Sequence, residues 1–126
     1  MLTKPAVPNP NERVLLGRVA VPKQTLVQVT RVGGRWPYWT KAGLMVRANS
    51  PHVTISVPRT WRTRVAIEWG DSGVVSSLRF APCSTHTWNA YVGGFYLRKP
   101  ACVHLIARVQ SRATDVRVSI GRPCRG

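Results

Sequence analysis

The sequence predicts an all-β fold in a single domain. Aromatic and β-branched residues alternate with polar residues at a period of two along most of the chain, which is typical of strands with one buried face. Ten prolines and ten glycines are spread through the 126 residues, as a fold with many turns requires, and no window shows a helical period. A hydrophobic fraction of 44% is enough to bury the core of one domain.

The first 12 residues predict a proline-rich linker or a disordered arm, and residues 13–126 the β-domain. Pro5, Pro8 and Pro10 stand among few apolar side chains, and the segment lacks the charged-then-apolar order of a signal peptide. This start fits a protein that is not exported, or one whose leader has been removed; we favour the second. The sequence contains no apolar run of about 18 residues that would span a membrane.

The amino-terminal part predicts a series of short strands. They are expected at residues 14–21, 25–32, 44–47, 53–57, 65–69 and 74–80. Pro22-Lys23 separates the first two strands, and Gly33-Gly34 ends the second. Residues 35–41 contain three aromatic side chains in four positions, a proline, and a cation at each end. Because proline disrupts a central strand, we interpret this segment as a loop or a sheet edge.

Residues 70–73, Gly-Asp-Ser-Gly, resemble the nucleophile turn of chymotrypsin-like serine proteases, in which a histidine and a carboxylate activate the serine. The resemblance covers four residues, and the chain is far shorter than two such barrels. Glycine, aspartate and serine between two apolar runs are also what a hairpin turn requires. We therefore predict a turn and no catalytic serine.

The carboxy-terminal part predicts three consecutive strands, at residues 88–97, 100–109 and 116–120, with a turn over 110–115 that pairs Val109 with Val116. His104 and Arg108 alternate with apolar neighbours and are expected on the outer face. The positions predicted to face the core are Val103, Leu105, Ala107, Val109, Val116, Val118 and Ile120.

About nine short strands, with no helices to cover a parallel sheet, predict an antiparallel two-sheet β-sandwich. The spacing of the strands and turns favours an immunoglobulin-like outline. A small closed β-barrel is the alternative architecture.

Three cysteines, Cys83, Cys102 and Cys124, are candidates for one disulfide bond with one thiol left over. The predicted hairpin brings Cys102 near Cys124, but a strict register points their sulfurs to opposite faces unless a bulge forms near Pro123. Cys83 can instead reach Cys102 without crossing a strand pair. Both pairings stay open, and either one would favour an exported protein.

The same cysteines, together with two histidines, contain the residue types of a zinc site. The set is Cys83, His86, Cys102, His104 and Cys124. Only Cys83 and His86 have a suitable spacing, and no second close pair completes a zinc knuckle. No third group is identified that would orient a cysteine–histidine catalytic pair. We therefore predict no metal site, no cofactor and no catalytic residue.

The most extreme property of the chain is its charge, +15 at pH 7, and fifteen of its nineteen basic residues are arginine. Arginine forms forked hydrogen bonds to phosphate and carboxylate and stacks on aromatic rings. Basic residues beside aromatic ones therefore predict a surface that binds an anionic polymer. The candidate residues are Arg35, Trp36, Tyr38, Trp39, Lys41, Trp61 and Arg62. An arginine-rich genome, or the polar outer faces of strands, would also give a high arginine count.

Several patterns between residues 53 and 124 resemble a known group of proteins. They are Val-Thr-Ile-Ser-Val-Pro, Leu-Arg-Phe-Ala-Pro-Cys, Trp-Asn-Ala-Tyr-Val-Gly-Gly-Phe, Pro-Ala-Cys-Val and Gly-Arg-Pro-Cys. The group is the small uncharacterised proteins of the cell envelope of high-GC Gram-positive bacteria. The resemblance implies an exported β-sandwich with structural cysteines, and it carries no activity over to this chain.

From these features we expect a non-enzymatic, exported or envelope-associated β-sandwich. Its basic and aromatic surface would contact cell-wall polymer or phospholipid head groups. A cytoplasmic nucleic-acid-binding module is the alternative, and a hydrolase of the Gly-Asp-Ser-Gly type ranks third. The sequence contains no acidic pair, glycine-rich phosphate loop or complete metal motif, which argues against an enzyme.

Overall fold

The computed structural model describes residues 3–5, 7–25, 34–81 and 87–124. Within these residues the chain forms thirteen strands and one 3-10 helix, and no α-helix, so the all-β prediction is confirmed. The strands are β1 Thr3–Pro5, β2 Glu12–Leu15, β3 Val19–Pro22, β4 Gln24–Thr25, β5 Tyr38–Lys41, β6 Leu44–Arg47, β7 Val53–Ser56, β8 Val65–Trp69, β9 Ser77–Phe80, β10 Trp88–Tyr91, β11 Gly93–Leu97, β12 Ala101–Val109 and β13 Arg112–Ile120, with the 3-10 helix Arg59–Trp61 between β7 and β8.

The described strands form three sheets, none of which closes on itself. The N-terminal sheet has the order β1-β10-β6-β3-β2, the central sheet β5-β11-β8, and the C-terminal sheet β4-β13-β12-β7-β9. Every pair is antiparallel except the short pair of β4 with β13, which is parallel. The antiparallel prediction is confirmed, but the sheets number three where the sequence predicted two.

The third sheet arises because two chain segments bend together. Residues 38–47 pair with residues 88–97, first as β5 with β11 and then as β6 with β10; we call this pair the bent ribbon. The predicted single strand over 88–97 is wrong, since it breaks at Val92 and changes sheet there. A Cβ on Gly93 would overlap the carbonyl oxygen of Glu68, so the strands meet more closely than a side chain permits.

The predicted strand over 14–21 is also wrong, because β2 and β3 form a hairpin. Leu16 and Gly17 take φ values of 52° and 68°, and Arg18 N donates to the carbonyl oxygen of Leu15 at 3.0 Å. A leucine in the left-handed region carries no sequence signal, since β-turns there usually hold glycine, asparagine or aspartate.

Other elements agree with the sequence to within a few residues. The strands at 44–47 and 65–69 are confirmed, and β7 ends one residue earlier than predicted. The strand predicted at 74–80 is shortened to β9, while Val75 forms an isolated bridge with Ile67. Most of the strand predicted at 25–32 lies outside the described residues. Within the segment predicted as an arm, β1 pairs with β10 at the edge of the N-terminal sheet.

The long hairpin of β12 and β13 has the predicted faces but a different register. Val109 lies opposite Arg112, not Val116, and the turn consists of Gln110 and Ser111. Gln110 takes a φ of 56°, which allows a tight turn and lets residues 112–115 join the strand. All seven predicted core positions are buried, with exposures of 7% or less.

All three sheets contribute to one hydrophobic core, which runs from Leu15 to Ile120. Trp69 is fully buried at the bend of the ribbon, where its indole Nε1 donates to the Ala42 carbonyl at 2.8 Å. Its ring forms a T-shaped contact with Phe95 at a centroid distance of 5.4 Å. A buried tryptophan with a satisfied N–H thus ties the central sheet to the bend.

Candidate anion-binding cleft

A basic cleft of about 800 Å³ lies where the 3-10 helix, the β11–β12 connection and the residues after β13 meet. Its cationic lining consists of Arg64, Arg98, Lys99 and Arg122. Trp61, Thr63, Pro100, Ala101, Cys102 and Pro123 complete the wall. All four acidic residues of the chain lie in the described part, and none of them lines this cleft.

Backbone hydrogen bonds fix the cationic side of the basic cleft. Arg98 N donates to the Arg64 carbonyl at 3.0 Å, which brings the residues flanking β8 and β11 together. Arg64 N in turn donates to the Trp61 carbonyl at 2.9 Å, at the end of the 3-10 helix. Arg98 and Lys99 are exposed, and Pro100 directs the chain from them into β12. Backbone hydrogen bonds therefore connect the segments that carry Arg64 and Arg98.

The half-buried indole of Trp61 forms the aromatic wall of the cleft. It stacks on His104 with a ring-centroid distance of 5.2 Å and an interplanar angle of 14°. The Arg64 guanidinium carbon lies 4.7 Å from the indole centroid, within the range of a cation–π contact. These contacts hold the indole and one cation of the cleft in fixed positions.

Cys102 and Cys124 form the disulfide beside the cleft, with a Cα–Cα distance of 5.0 Å. The predicted bulge at Pro123 is not the cause, because β13 ends at Ile120 and Cys124 lies beyond it. The chain turns at Gly121, whose φ is 68°, and returns over the outer face of β12. Cys83, the other candidate, and His86 lie outside the described residues.

Electrostatic attraction in the basic cleft is not cancelled by neighbouring carboxylates. Among the described residues, none of its four cations has a carboxylate within ion-pair distance. Like charges that converge on one cleft with partly apolar walls focus the potential there and attract anions. The arrangement offers forked and point-charge donors for phosphate or carboxylate oxygens, but no nucleophile beside a base.

The structure does not bring the seven sequence-predicted ligand residues into one site. Of the seven, all in the described part, Trp61 lines the basic cleft and Lys41 lines a second cleft. The Arg35 guanidinium lies 5.3 Å from the Trp36 ring, in the segment before β5. Exposed Arg62 donates from Nε to the Val57 carbonyl at 3.2 Å.

The two remaining candidates lie on opposite faces of the edge strand β5. Tyr38 packs against the core, whereas Trp39 lies on the outer face of the central sheet, opposite Tyr96. The Tyr96 hydroxyl donates to Glu68 Oε1 at 2.8 Å. Burial raises the pKa of Tyr96 above its ordinary value, and the hydrogen bond and the charge of Glu68 raise it further.

The second cleft, of about 880 Å³, is also lined by the residues that follow β13. Its polar lining consists of Asn9, Asn11, Glu12, Gln24, Lys41 and Ser119, and it shares Arg122 and Pro123 with the basic cleft. Asn11 Nδ2 donates to the Gln24 carbonyl at 3.1 Å, which joins the turn before β2 to β4.

The Gly-Asp-Ser-Gly segment is a turn after β8, as predicted. Ser72 Oγ accepts from Trp69 N at 3.3 Å and donates to the Gly73 carbonyl at 2.8 Å, so its hydroxyl serves the turn. In the described residues no cluster of three or more His, Cys, Asp or Glu side chains could hold a metal ion. No helix in this part of the chain is long and apolar enough to cross a membrane.

Sequence reasoning missed four cationic residues, Arg64, Arg98, Lys99 and Arg122, because they come from three separate segments. One signal was available: Arg98-Lys99-Pro100 places two adjacent cations in the turn between two strands. Comparison with protein-family models, curated proteins and solved structures gives no match. The chemistry of the basic cleft is therefore what points to a function.

Proposed function

We propose that this protein is a non-catalytic, exported β-sandwich that binds phosphate groups of an envelope component in the basic cleft. The component would be a cell-wall polymer or phospholipid head groups, and the sheets would follow an immunoglobulin-like outline. The observation that carries the proposal is the convergence of four cations on one cleft that no acidic side chain lines. Guanidinium groups favour phosphate oxygens because their N–H donors match the spacing of those oxygens.

Specific binding in the cleft has to be distinguished from the general attraction between a basic protein and any polyanion. Any protein with a charge of +15 binds polyanions at low salt, because counterions are released whatever the ligand. In the basic cleft, however, the Arg64 guanidinium lies against an indole, and Arg98 N donates to the Arg64 carbonyl. Preorganised donors lose less side-chain entropy on binding than free surface arginines do.

The Cys102–Cys124 pair supports the exported location. Disulfides persist in oxidising compartments and are rare in the cytosol, where thiols are kept reduced. The pair also anchors Arg122 and Pro123, which line the cleft, two residues or fewer from Cys124. The shape of the cleft would thus depend on the Cys102–Cys124 disulfide, a type of bond that persists outside the cytosol.

The test compares two variants of equal charge. Arg98→Ala with Lys99→Ala removes two cations of the cleft, whereas Arg13→Ala with Arg108→Ala removes two exposed cations outside it. Binding to purified wall polymer and to anionic phospholipid vesicles is measured at ~0.15 M and ~0.3 M salt, where exposed charges are increasingly screened.

We expect the cleft variant to lose about ten-fold or more in affinity at the higher salt, equivalent to about 1.4 kcal/mol. The outer variant should mainly change the salt dependence. Equal losses in the two variants would contradict a specific cleft and leave net charge as the cause of binding. Stronger cleft-dependent binding to single-stranded oligonucleotide would favour the nucleic-acid alternative.

A further inference from the structure

The basic cleft and the second cleft are neighbouring parts of one surface, because Arg122 and Pro123 line both. The Ser119 hydroxyl donates to the Arg122 carbonyl at 2.8 Å, and Cys124 is fixed to Cys102. Arg122 is therefore held at the junction from both sides. A ligand that contacts Arg122 can extend into either cleft.

The two clefts differ in the chemistry that they offer a ligand. The basic cleft contains four cations and no carboxylate. The second cleft contains the amides of Asn9, Asn11 and Gln24 and one carboxylate, Glu12, besides its cations Lys41 and Arg122. Amides both donate and accept hydrogen bonds, which suits hydroxyl groups, whereas guanidinium groups suit phosphate. The surface thus changes from phosphate-binding to hydroxyl-binding chemistry at Arg122.

The size of the surface indicates an extended ligand. The clefts have volumes of about 800 and 880 Å³, and each by itself lies within the range of about 300–1,000 Å³ that holds a drug-sized molecule. One phosphate group would occupy a small part of one cleft. If the anion is phosphate, as proposed above, a ligand that uses both types of lining carries phosphate and hydroxyl groups along its length.

We infer that one polymer occupies both clefts, and that its phosphodiester groups are linked by hydroxyl-bearing polyol or sugar units. This inference rests on the proposed function and narrows its ligand to a wall-type polymer. A phospholipid fits less well, because the exposed large hydrophobic residues of the described part, Val7, Val14, Val74 and Val92, line neither cleft. A nucleic acid fits less well, because the described lining of the second cleft has no aromatic ring for a base to stack on.

The test uses the full chain and two soluble probes at ~0.3 M salt, which suppresses general attraction. Poly(glycerol phosphate) has hydroxyl-bearing units between its phosphates, and inorganic polyphosphate of matched charge has none. Gln24→Ala removes an exposed amide of the second cleft and keeps the carbonyl that Asn11 binds. Arg122→Ala removes the junction cation, and Ser111→Ala, in the β12–β13 turn, is the neutral control.

We expect Gln24→Ala to weaken poly(glycerol phosphate) binding about three- to ten-fold, as the loss of one or two neutral hydrogen bonds gives, and to leave polyphosphate binding unchanged. Arg122→Ala should weaken binding of both probes, and Ser111→Ala of neither. Equal binding of poly(glycerol phosphate) to Gln24→Ala and wild type would overturn the inference. So would tighter binding to phosphatidylglycerol vesicles, or to a single-stranded oligonucleotide of matched charge, than to poly(glycerol phosphate).

These outcomes are separable from those of the proposed function. If the Arg98→Ala, Lys99→Ala variant loses phosphate binding and Gln24→Ala binds as the wild type does, phosphate binding in the basic cleft is supported. The inference that one polymer occupies both clefts is then wrong. If the cleft variant behaves like the Arg13→Ala, Arg108→Ala variant, both proposals fail together.

Discussion

The β12–β13 hairpin and the bent ribbon are both antiparallel strand pairs, yet different features of the sequence determine their shapes. In the hairpin, nine residues of each strand pair in one uninterrupted register. Each segment of the ribbon changes sheet part-way along, at Ala42-Gly43 in one and at Val92 in the other. Regular alternation predicts the strands and buried face of the hairpin, whereas the ribbon needs glycine at close contacts and a buried tryptophan across its bend. A local pattern can therefore specify a strand without specifying the sheet to which it belongs.

The largest expected effect is a loss of folding stability caused by a substitution in the bent ribbon. Gly93→Ala places a Cβ against the Glu68 carbonyl and the Trp69 Cα, which are backbone atoms that cannot move aside. We expect the free energy of unfolding to fall by more than about 4 kcal/mol, in the range of severe backbone and packing defects. Urea denaturation followed by circular dichroism measures the change.

The matched control lies in the same ribbon. Gly43→Ala meets nothing within 4 Å, so its effect on unfolding should stay below about 1 kcal/mol in either direction. If the two alanine variants are equally stable, close approach at Gly93 is not what bends the ribbon.

The second effect concerns the open end of the hairpin. Cys102→Ser with Cys124→Ser removes a bond between residues 22 positions apart, and we expect it to lower the free energy of unfolding by about 2–4 kcal/mol. Thiol counting on unfolded, unreduced wild-type protein should find one free cysteine of three. Three free thiols in freshly purified protein would contradict the bond and argue against the proposed exported location.

The third effect compares the cleft beside the hairpin with the outer side of the ribbon. Trp61→Ala removes the ring that holds Arg64, and we expect a two- to five-fold loss of phosphate-polymer affinity, the equivalent of about 0.5–1 kcal/mol for a cation–π contact. Trp36→Ala with Trp39→Ala should lower affinity at ~0.3 M salt by less, unless residues 35–41 also contact the ligand. A larger loss in the double variant would place the main binding surface on residues 35–41 instead.

The smallest effect is the pH response of the ribbon. Because Tyr96 has a raised pKa in the folded state, its contact with Glu68 contributes stability below the unfolded pKa of about 10.0. That contribution is lost as the pH rises through the folded pKa, when the hydroxyl ionises. Glu68→Gln removes the charge and should shift the Tyr96 titration, measured by ultraviolet absorbance, toward lower pH. An unchanged titration would show that Glu68 does not contribute to the shift.

The sequence determined the all-β class, the buried faces of the hairpin and the turn at residues 70–73, because each depends on a period of two or on the preferences of turn residues. It predicted Trp61 as a ligand residue from its basic neighbours; Trp61 lines the basic cleft, and its role in binding stays a prediction. Tertiary structure decided the bends at Val92 and at Leu16-Gly17, since a change of sheet and a leucine with positive φ leave no periodic signal.

The hairpin register was seen only in the structure, because it depends on a two-residue turn in which Gln110, a residue that seldom has positive φ, takes a φ of 56°. The register in turn sets the position of Cys124. The basic cleft itself could not be predicted from the sequence. Arg64, Arg98 and Arg122 are brought together by a backbone hydrogen bond between two strand ends and by a disulfide, and neither can be read from the spacing of the arginines.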